Sequence, residues 1–152
     1  MKSSSNQWQS DKEEFQKMFS KVGNISRRIL VADDDSVIRR LIISVIGKEC
    51  YTAVAVEDGR EAYRILQADA DFGGAIFDMM MPNLDGLEVI RYMRTEKRLM
   101  RIPVMMITSE QDLKFTAASF AAGATLFLPK PFTAAQFQTT FKILVGERRV
   151  AA

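Results

Sequence analysis

The residues with the most chemical potential in this chain lie just past its apolar runs. Asp33 and Asp34 follow the first run, Glu57 and Asp58 the second, and Asp78 the third. Thr108 and Ser109 follow the fourth, and Lys130, between Pro129 and Pro131, follows the fifth. If Asp33, Asp34 and Asp78 converge, their charges repel, and leaving all three ionised without compensation is unfavourable. A hard divalent cation is the natural answer. Magnesium prefers oxygen ligands and typically takes one or two carboxylates together with a phosphate. Lys130 then offers a point charge and Thr108 a hydroxyl, both suited to phosphoryl oxygens. A carboxylate that attacks such a group forms an acyl phosphate. Each residue alone says little. An Asp after a strand is more often a helix cap or turn residue, which is how Asp35, Asp58 and Asp85 are read. A Thr there is ordinarily a turn residue and a Lys beside prolines ordinarily solvated. The weight lies in all of them falling at the same end of the runs.

The elements that must position these residues follow from periodicity. Arg28-Ile29-Leu30-Val31-Ala32 is a continuous apolar run, as in a strand buried on both faces. Helical spacing of Ile38, Leu41, Ile42 and Val45 predicts a helix from Val37 to Ile46. Tyr51 to Val56 is a second strand, and Asp58 with Glu61 opens a helix to about Leu66 or Gln67. Gly74 to Phe77 is the third strand, and Asp85 with Glu88 starts a helix running to about Lys97. Pro103 to Ile107 is the fourth strand, followed by a helix from about Gln111 to Ala121 with Gly123 as its stop. Ala124 to Leu128 is the fifth strand. Thr133 caps a last helix that Gly146 ends, leaving a short polar tail. Strict β/α alternation predicts an α/β fold, a doubly wound five-stranded parallel sheet of flavodoxin-like order 2-1-3-4-5. That order makes strands one and three neighbours and brings Asp33, Asp34 and Asp78 together, with Thr108 and Lys130 closing the far side.

Residues 1–26 form an N-terminal extension: a disordered stretch of Ser, Asn and Gln with Trp8, then a short helix. Ser10 and Glu13 have capping-box spacing, and Phe15, Met18, Phe19 and Val22 form one apolar stripe. The domain itself spans residues 27–147 and the tail 148–152. A net charge of +2 with scattered Lys and Arg gives no reason to expect direct contact with nucleic acid. No His occurs, which removes His-based catalysis and His metal ligands. The single cysteine, Cys50, excludes an intramolecular disulfide and reads as a buried thiol at a strand edge. There is no apolar signal region and no run of membrane-spanning length, so a cytoplasmic protein without membrane insertion is expected.

Four motifs make the chain recognisable. Val31-Ala32-Asp33-Asp34-Asp35-Ser36, Asp78-Met79-Met80-Met81-Pro82-Asn83-Leu84-Asp85-Gly86, Pro103-Val104-Met105-Met106-Ile107-Thr108-Ser109 and Lys130-Pro131-Phe132 together resemble the receiver domain of two-component response regulators, in its single-domain, chemotaxis-regulator-like form. The resemblance implies that Asp78 is the phosphoacceptor. It implies that Asp34, Asp78 and the backbone carbonyl of Met80 bind Mg2+ directly and Asp33 through water. It implies that Thr108 and Lys130 contact the phosphoryl oxygens. In that family the Lys–Pro bond, here Lys130-Pro131, is usually cis. Thr108 and an aromatic three residues before the Lys, here Phe127, form the switch. Phe127 has no hydroxyl, so any role needing a Tyr OH is absent, and packing against the neighbouring helix accounts for it equally well. Two further positions, here Met80 and Glu110, tune dephosphorylation.

The expected function is a phosphorylation-dependent signalling switch, not an enzyme beyond its own phosphorylation and slow dephosphorylation. Its phosphodonor would be a histidine kinase or histidine phosphotransfer protein. Its output would be a downstream protein bound through the face of the fourth helix, fifth strand and fifth helix, with the chain a monomer or weak dimer. The alternative within this class is a phosphate sink or relay without its own output. A phosphohydrolase of the haloacid-dehalogenase type would resemble Asp-x-Asp-x-Thr on strand one, where this chain continues Ser36-Val37. A flavin carrier would need a Ser-, Thr- and Gly-rich phosphate loop there, where three acidic residues stand.

Overall fold

The computed structural model describes residues 7–11, 26–109 and 113–151. Five strands, β1 (Arg28–Ala32), β2 (Thr52–Val56), β3 (Gly74–Asp78), β4 (Val104–Thr108) and β5 (Leu126–Pro129), alternate with five helices. These are α1 (Ser36–Lys48), α2 (Gly59–Ala68), α3 (Gly86–Thr95), α4 (Leu113–Ala122) and α5 (Ala134–Ala151). The sheet is parallel, in the order β2-β1-β3-β4-β5.

Side chains alternate across a strand, so a parallel sheet covered on both faces needs apolar residues at every position. β3 and β4 are buried throughout, and β1 from Ile29 onward. Leu30, Ala32, Ala75, Phe77, Val104 and Met106 face one layer, formed by Ala62 and Leu66 of α2 and Val89, Ile90 and Met93 of α3. Ile29, Val31, Ile76, Met105 and Ile107 face the other, formed by Ile42, Val45 and Ile46 of α1 and Phe137, Phe141 and Leu144 of α5. Each fully buried Phe or Ile contributes about 1.5–3 kcal/mol by burial.

The caps set where each helix leaves the carboxyl edge of the sheet. Asp35 accepts from the N–H of Val37 and Ile38, Asp58 from Glu61 and Asp85 from Glu88. Thr133 and Gln136 form a reciprocal capping box at the start of α5. At the other end of α4, Gly123 adopts the positive φ of 112° expected of a stop residue.

The structure corrects several expectations. Gly146 does not end the last helix: α5 continues to Ala151, because Gly146 takes no left-handed turn and the residues after it are good helix formers. Cys50 is exposed, not a buried strand edge. It lies at φ 66° in the turn between α1 and β2, which directs its side chain outward. Residues 7–11 are helical, with Gln7 bonded to Asp11, so Gln7, Trp8 and Gln9 form part of a helical turn in place of the expected disorder, and Ser10 lies within that turn instead of capping a helix. The expected stripe of Phe15, Met18, Phe19 and Val22 lies outside the described residues. Among the described residues, no helix is long and apolar enough to cross a membrane.

Candidate functional site

The strand order brings the β1 and β3 carboxyl ends side by side, with Ala32 opposite Phe77 in register. The carboxylates of Asp33, Asp34 and Asp78 consequently lie with ligand oxygens within 4.8 Å of one another. Asp33 and Asp78 are buried, whereas Asp34 is exposed. Lys130, carried past the end of β5, reaches back over the sheet. Its Nζ is 3.1 Å from Asp78 Oδ2 and 3.5 Å from Asp33 Oδ2. Its backbone N–H donates to the Thr108 carbonyl at 2.6 Å, which ties the β5 end to β4. The Lys130–Pro131 bond is cis.

The first oxygens of the two buried carboxylates are held by backbone. Asp33 Oδ1 accepts from the N–H of Asp35 at 2.9 Å, and Asp78 Oδ1 from the N–H of Met80 at 3.2 Å. Asp33 Oδ2 has no hydrogen-bond partner among the described residues; Lys130 beside it is at ion-pair distance only. Burial is the main reason that the Asp33 carboxyl is pushed up to about 6, and the nearby Asp78 charge adds to it. The Asp35 N–H and Lys130 work against that rise. For Lys130, burial pulls the ammonium down, but the charges of Asp33 and Asp78 outweigh it and the net displacement is upward.

Thr108 ends β4, one step past the Asp78–Ile107 register pair, and is fully buried, with Oγ1 3.9 Å from Met79 Sδ. Met80 lies beside the acidic group and is 58% exposed. Phe127 is half-buried, packed on the layer of α2 and α3, with its ring 6.4 Å from that of Phe120 on α4. Glu110 lies outside the described residues. Sequence patterns gave no sign of Arg39. From α1 it donates to the Asp33 carbonyl at 2.7 Å and reaches Glu57 at 3.7 Å, bracing the β1–α1 loop against the β2–α2 loop.

A buried carboxylate oxygen with no donor, next to two further carboxylates and one ammonium, is a place where a cation with oxygen ligands fits. Asp33, Asp34 and Asp78 are the residues that would hold it.

The family model for the response regulator receiver domain matches residues 29–142, and the chain belongs to that family. It is a receiver domain of two-component signalling. Chemotaxis protein CheY1 of Helicobacter pylori is 32% identical over 120 residues, which cover 78% of this chain and 97% of that protein. Response regulator MprA of Mycolicibacterium vanbaalenii is 33% identical over 118 residues, 78% of this chain but 50% of that protein. Among solved structures, chemotaxis response regulator CheY4 of Vibrio cholerae superposes with a TM-score of 0.72 at 28% identity, covering 77% of this chain and 97% of that one. The receiver domain of sensor histidine kinase PA1611 from Pseudomonas aeruginosa, solved with magnesium ion coordinated in the active site cleft, gives 0.71 at 25% identity, covering 80% and 98%.

Proposed function

We propose that this receiver accepts a phosphoryl group on Asp78 from a phosphohistidine of a kinase or phosphotransfer partner, with Mg2+ bound at Asp33, Asp34 and Asp78. The observation that carries the reading is the buried pair Asp33 and Asp78, both facing Lys130 Nζ, within ligand distance of Asp34. In the reaction an Asp78 carboxylate oxygen forms a bond to phosphorus as the P–N bond of the phosphohistidine breaks. The electron pair of that bond leaves on the imidazole, and the product is an acyl phosphate on Asp78. Lys130 keeps its positive charge throughout and offsets charge on the transferring oxygens. Thr108, at the end of β4, supplies a hydroxyl to the phosphoryl group once formed. A bound magnesium ion would offset the same negative charge and orient the phosphoryl group. The backbone carbonyl of Met80 is the remaining protein ligand in this reading.

Phe127 against Phe120 links β5 to α4, and in this reading that contact carries the state of Thr108 to the α4–β5–α5 face. A downstream protein binding that face completes the switch. The domain boundaries that suit this function are 27–147, with residues 1–26 as an extension.

The test is incubation with magnesium and acetyl phosphate, followed by intact mass under mild conditions. One added phosphoryl group, lost in Asp78→Asn and absent when magnesium is chelated, is the expected result. Phosphorylation that persists in Asp78→Asn overturns the reading.

A further inference from the structure

The loop between β3 and α3 carries Met80, whose N–H donates to Asp78 Oδ1 at the edge of the acidic site. It is closed on itself by the Gly86 N–H, which donates to the Met79 carbonyl at 3.0 Å. Its far side is held elsewhere. Asn83 Nδ2 donates to Asp58 Oδ2 at 3.0 Å, across 25 residues of sequence. Beside that bond the Leu84 carbonyl occupies the space a Cβ on residue 59 would need, so loop and helix α2 meet backbone to backbone at Gly59.

Two details show that this contact is more than a helix cap. Capping α2 takes one oxygen, and Asp58 Oδ1 does that by accepting from the Glu61 N–H at 2.9 Å. Asn, Ser or Thr would cap as well. The second oxygen of Asp58 accepts from the loop instead. Asn83, for its part, holds a φ of 70°, a left-handed conformation that Asn and Asp tolerate better than other side chains. That conformation brings its amide to Asp58. The Glu61 N–H, with the Asn83 amide adding, holds the Asp58 carboxyl below its ordinary range.

We propose that the Asn83–Asp58 hydrogen bond is a latch that sets the position of the Met80 loop for cation binding, with Asn83 and Asp58 as positioning residues. The proposal rests on the magnesium reading of Asp33, Asp34 and Asp78. The latch makes no contact with the cation. It acts by limiting how far the loop carrying Met80 can swing from Asp78.

The test is a magnesium titration by calorimetry on the full chain. Asn83→Asp places two carboxylates face to face and breaks the latch while keeping a residue that tolerates positive φ. It also adds a negative charge near the site, which by charge alone would tighten magnesium binding. The latch predicts the opposite, a dissociation constant raised by roughly 3- to 10-fold. The double variant Asp58→Asn with Asn83→Asp restores the bond with donor and acceptor exchanged and keeps the net charge. The amide introduced at position 58 still has an oxygen for the Glu61 N–H. The double variant is expected to bind magnesium within about twofold of the original protein. Thermal melts in chelator check that each variant is folded; a role confined to stability would move Tm and leave the dissociation constant alone. Unchanged affinity in Asn83→Asp overturns the latch, and so does a loss that the double variant fails to recover. An original protein that takes up no magnesium overturns the site reading itself, and the latch with it.

Discussion

Asp33 and Asp78 are held in the same way. Each gives one oxygen to the backbone N–H two residues on, at 2.9 and 3.2 Å, and each turns its second oxygen toward Lys130 Nζ, at 3.5 and 3.1 Å. One ammonium thus serves two buried carboxylates. Removing it by Lys130→Met leaves both without their counter-charge. In chelator the variant should lose about 3 kcal/mol of stability, measured by urea unfolding, and magnesium should recover much of it. Magnesium affinity should not weaken, because a competing positive charge has gone. Phosphorylation by acetyl phosphate should slow at least about tenfold. A variant that phosphorylates at the original rate would remove Lys130 from the chemistry.

The Asp33 carboxyl, raised from 3.8 to about 6, gives the magnesium-free protein a definite pH signature. Between those values the folded state keeps a proton that the unfolded state has released. Stability from this group is therefore full below about pH 4 and declines as pH rises through about 6. Asp58 and Asp69 are shifted downward, so their stabilising contributions are lost only below about pH 4 and do not mask that window. Asp33→Asn should abolish the decline and make the apo protein more stable at about pH 7, by about 2–3 kcal/mol. The two stability curves should converge near about pH 4. Parallel curves between those two pH values would refute this account of Asp33.

The strands were legible because a sheet buried on both faces leaves continuous apolar runs, and the caps because Asp35, Asp58 and Asp85 act within three residues of themselves. What sequence did not reveal is either a choice between neighbours or a pairing across distance. Asp33 and Asp34 are adjacent and chemically identical, yet only Asp33 is buried, a difference that no local spacing encodes. Asn83 with Asp58, Arg39 with Glu57 and Arg94 with the Gly123 carbonyl join residues 18 or more apart, and no local spacing encodes them. Cys50 and Gly146 departed from expectation for a shared reason. Turn and stop preferences are weak, and here a left-handed cysteine and a helical glycine overrode them.

If Asp78 is phosphorylated as proposed, Met80 is placed to set the lifetime of the acyl phosphate. Its N–H donates to Asp78 while the residue itself is largely exposed beside the site. A thioether cannot orient an attacking water by donating a hydrogen bond, whereas an amide can. Met80→Asn should therefore lose its phosphoryl group faster, followed by intact mass after removal of the phosphodonor. Equal or slower loss in the variant would sink the idea.

Arg94 anchors the end of α4 opposite to the site. Its guanidinium donates to the Gly123 carbonyl at 2.7 and 3.2 Å, and to the carbonyls of Met100 and Ile102 at 3.0 and 3.1 Å. Burial pulls its pKa down, yet it stays charged at any working pH. Arg94→Ala would leave three carbonyls without this donor and should cost about 2–4 kcal/mol in urea unfolding. Arg94→Lys should recover little, because one ammonium cannot span the planar fork. A fully stable Arg94→Lys would show that charge alone matters here.

Glycine substitutions separate space from backbone entropy. At Gly47 in α1 and Gly146 in α5, a Cβ would meet nothing within 4 Å, and neither residue has positive φ. Alanine there should stabilise by about 0.5–1 kcal/mol, by restricting the unfolded chain and favouring the helix. Gly86 also lies in a helix, α3, but its Cβ would be 2.6 Å from the Asp78 carbonyl oxygen and 2.9 Å from Met106 Sδ. Helix propensity, weaker at the first position of α3 than inside α1, still favours Gly86→Ala, so propensity alone predicts the same sign. The contacts predict the reverse, a loss of about 1–3 kcal/mol from overpacking, together with a displaced Asp78. Urea unfolding of the three variants side by side decides between them, and stabilisation in Gly86→Ala would show that the β3–α3 junction yields where the geometry says it is tight.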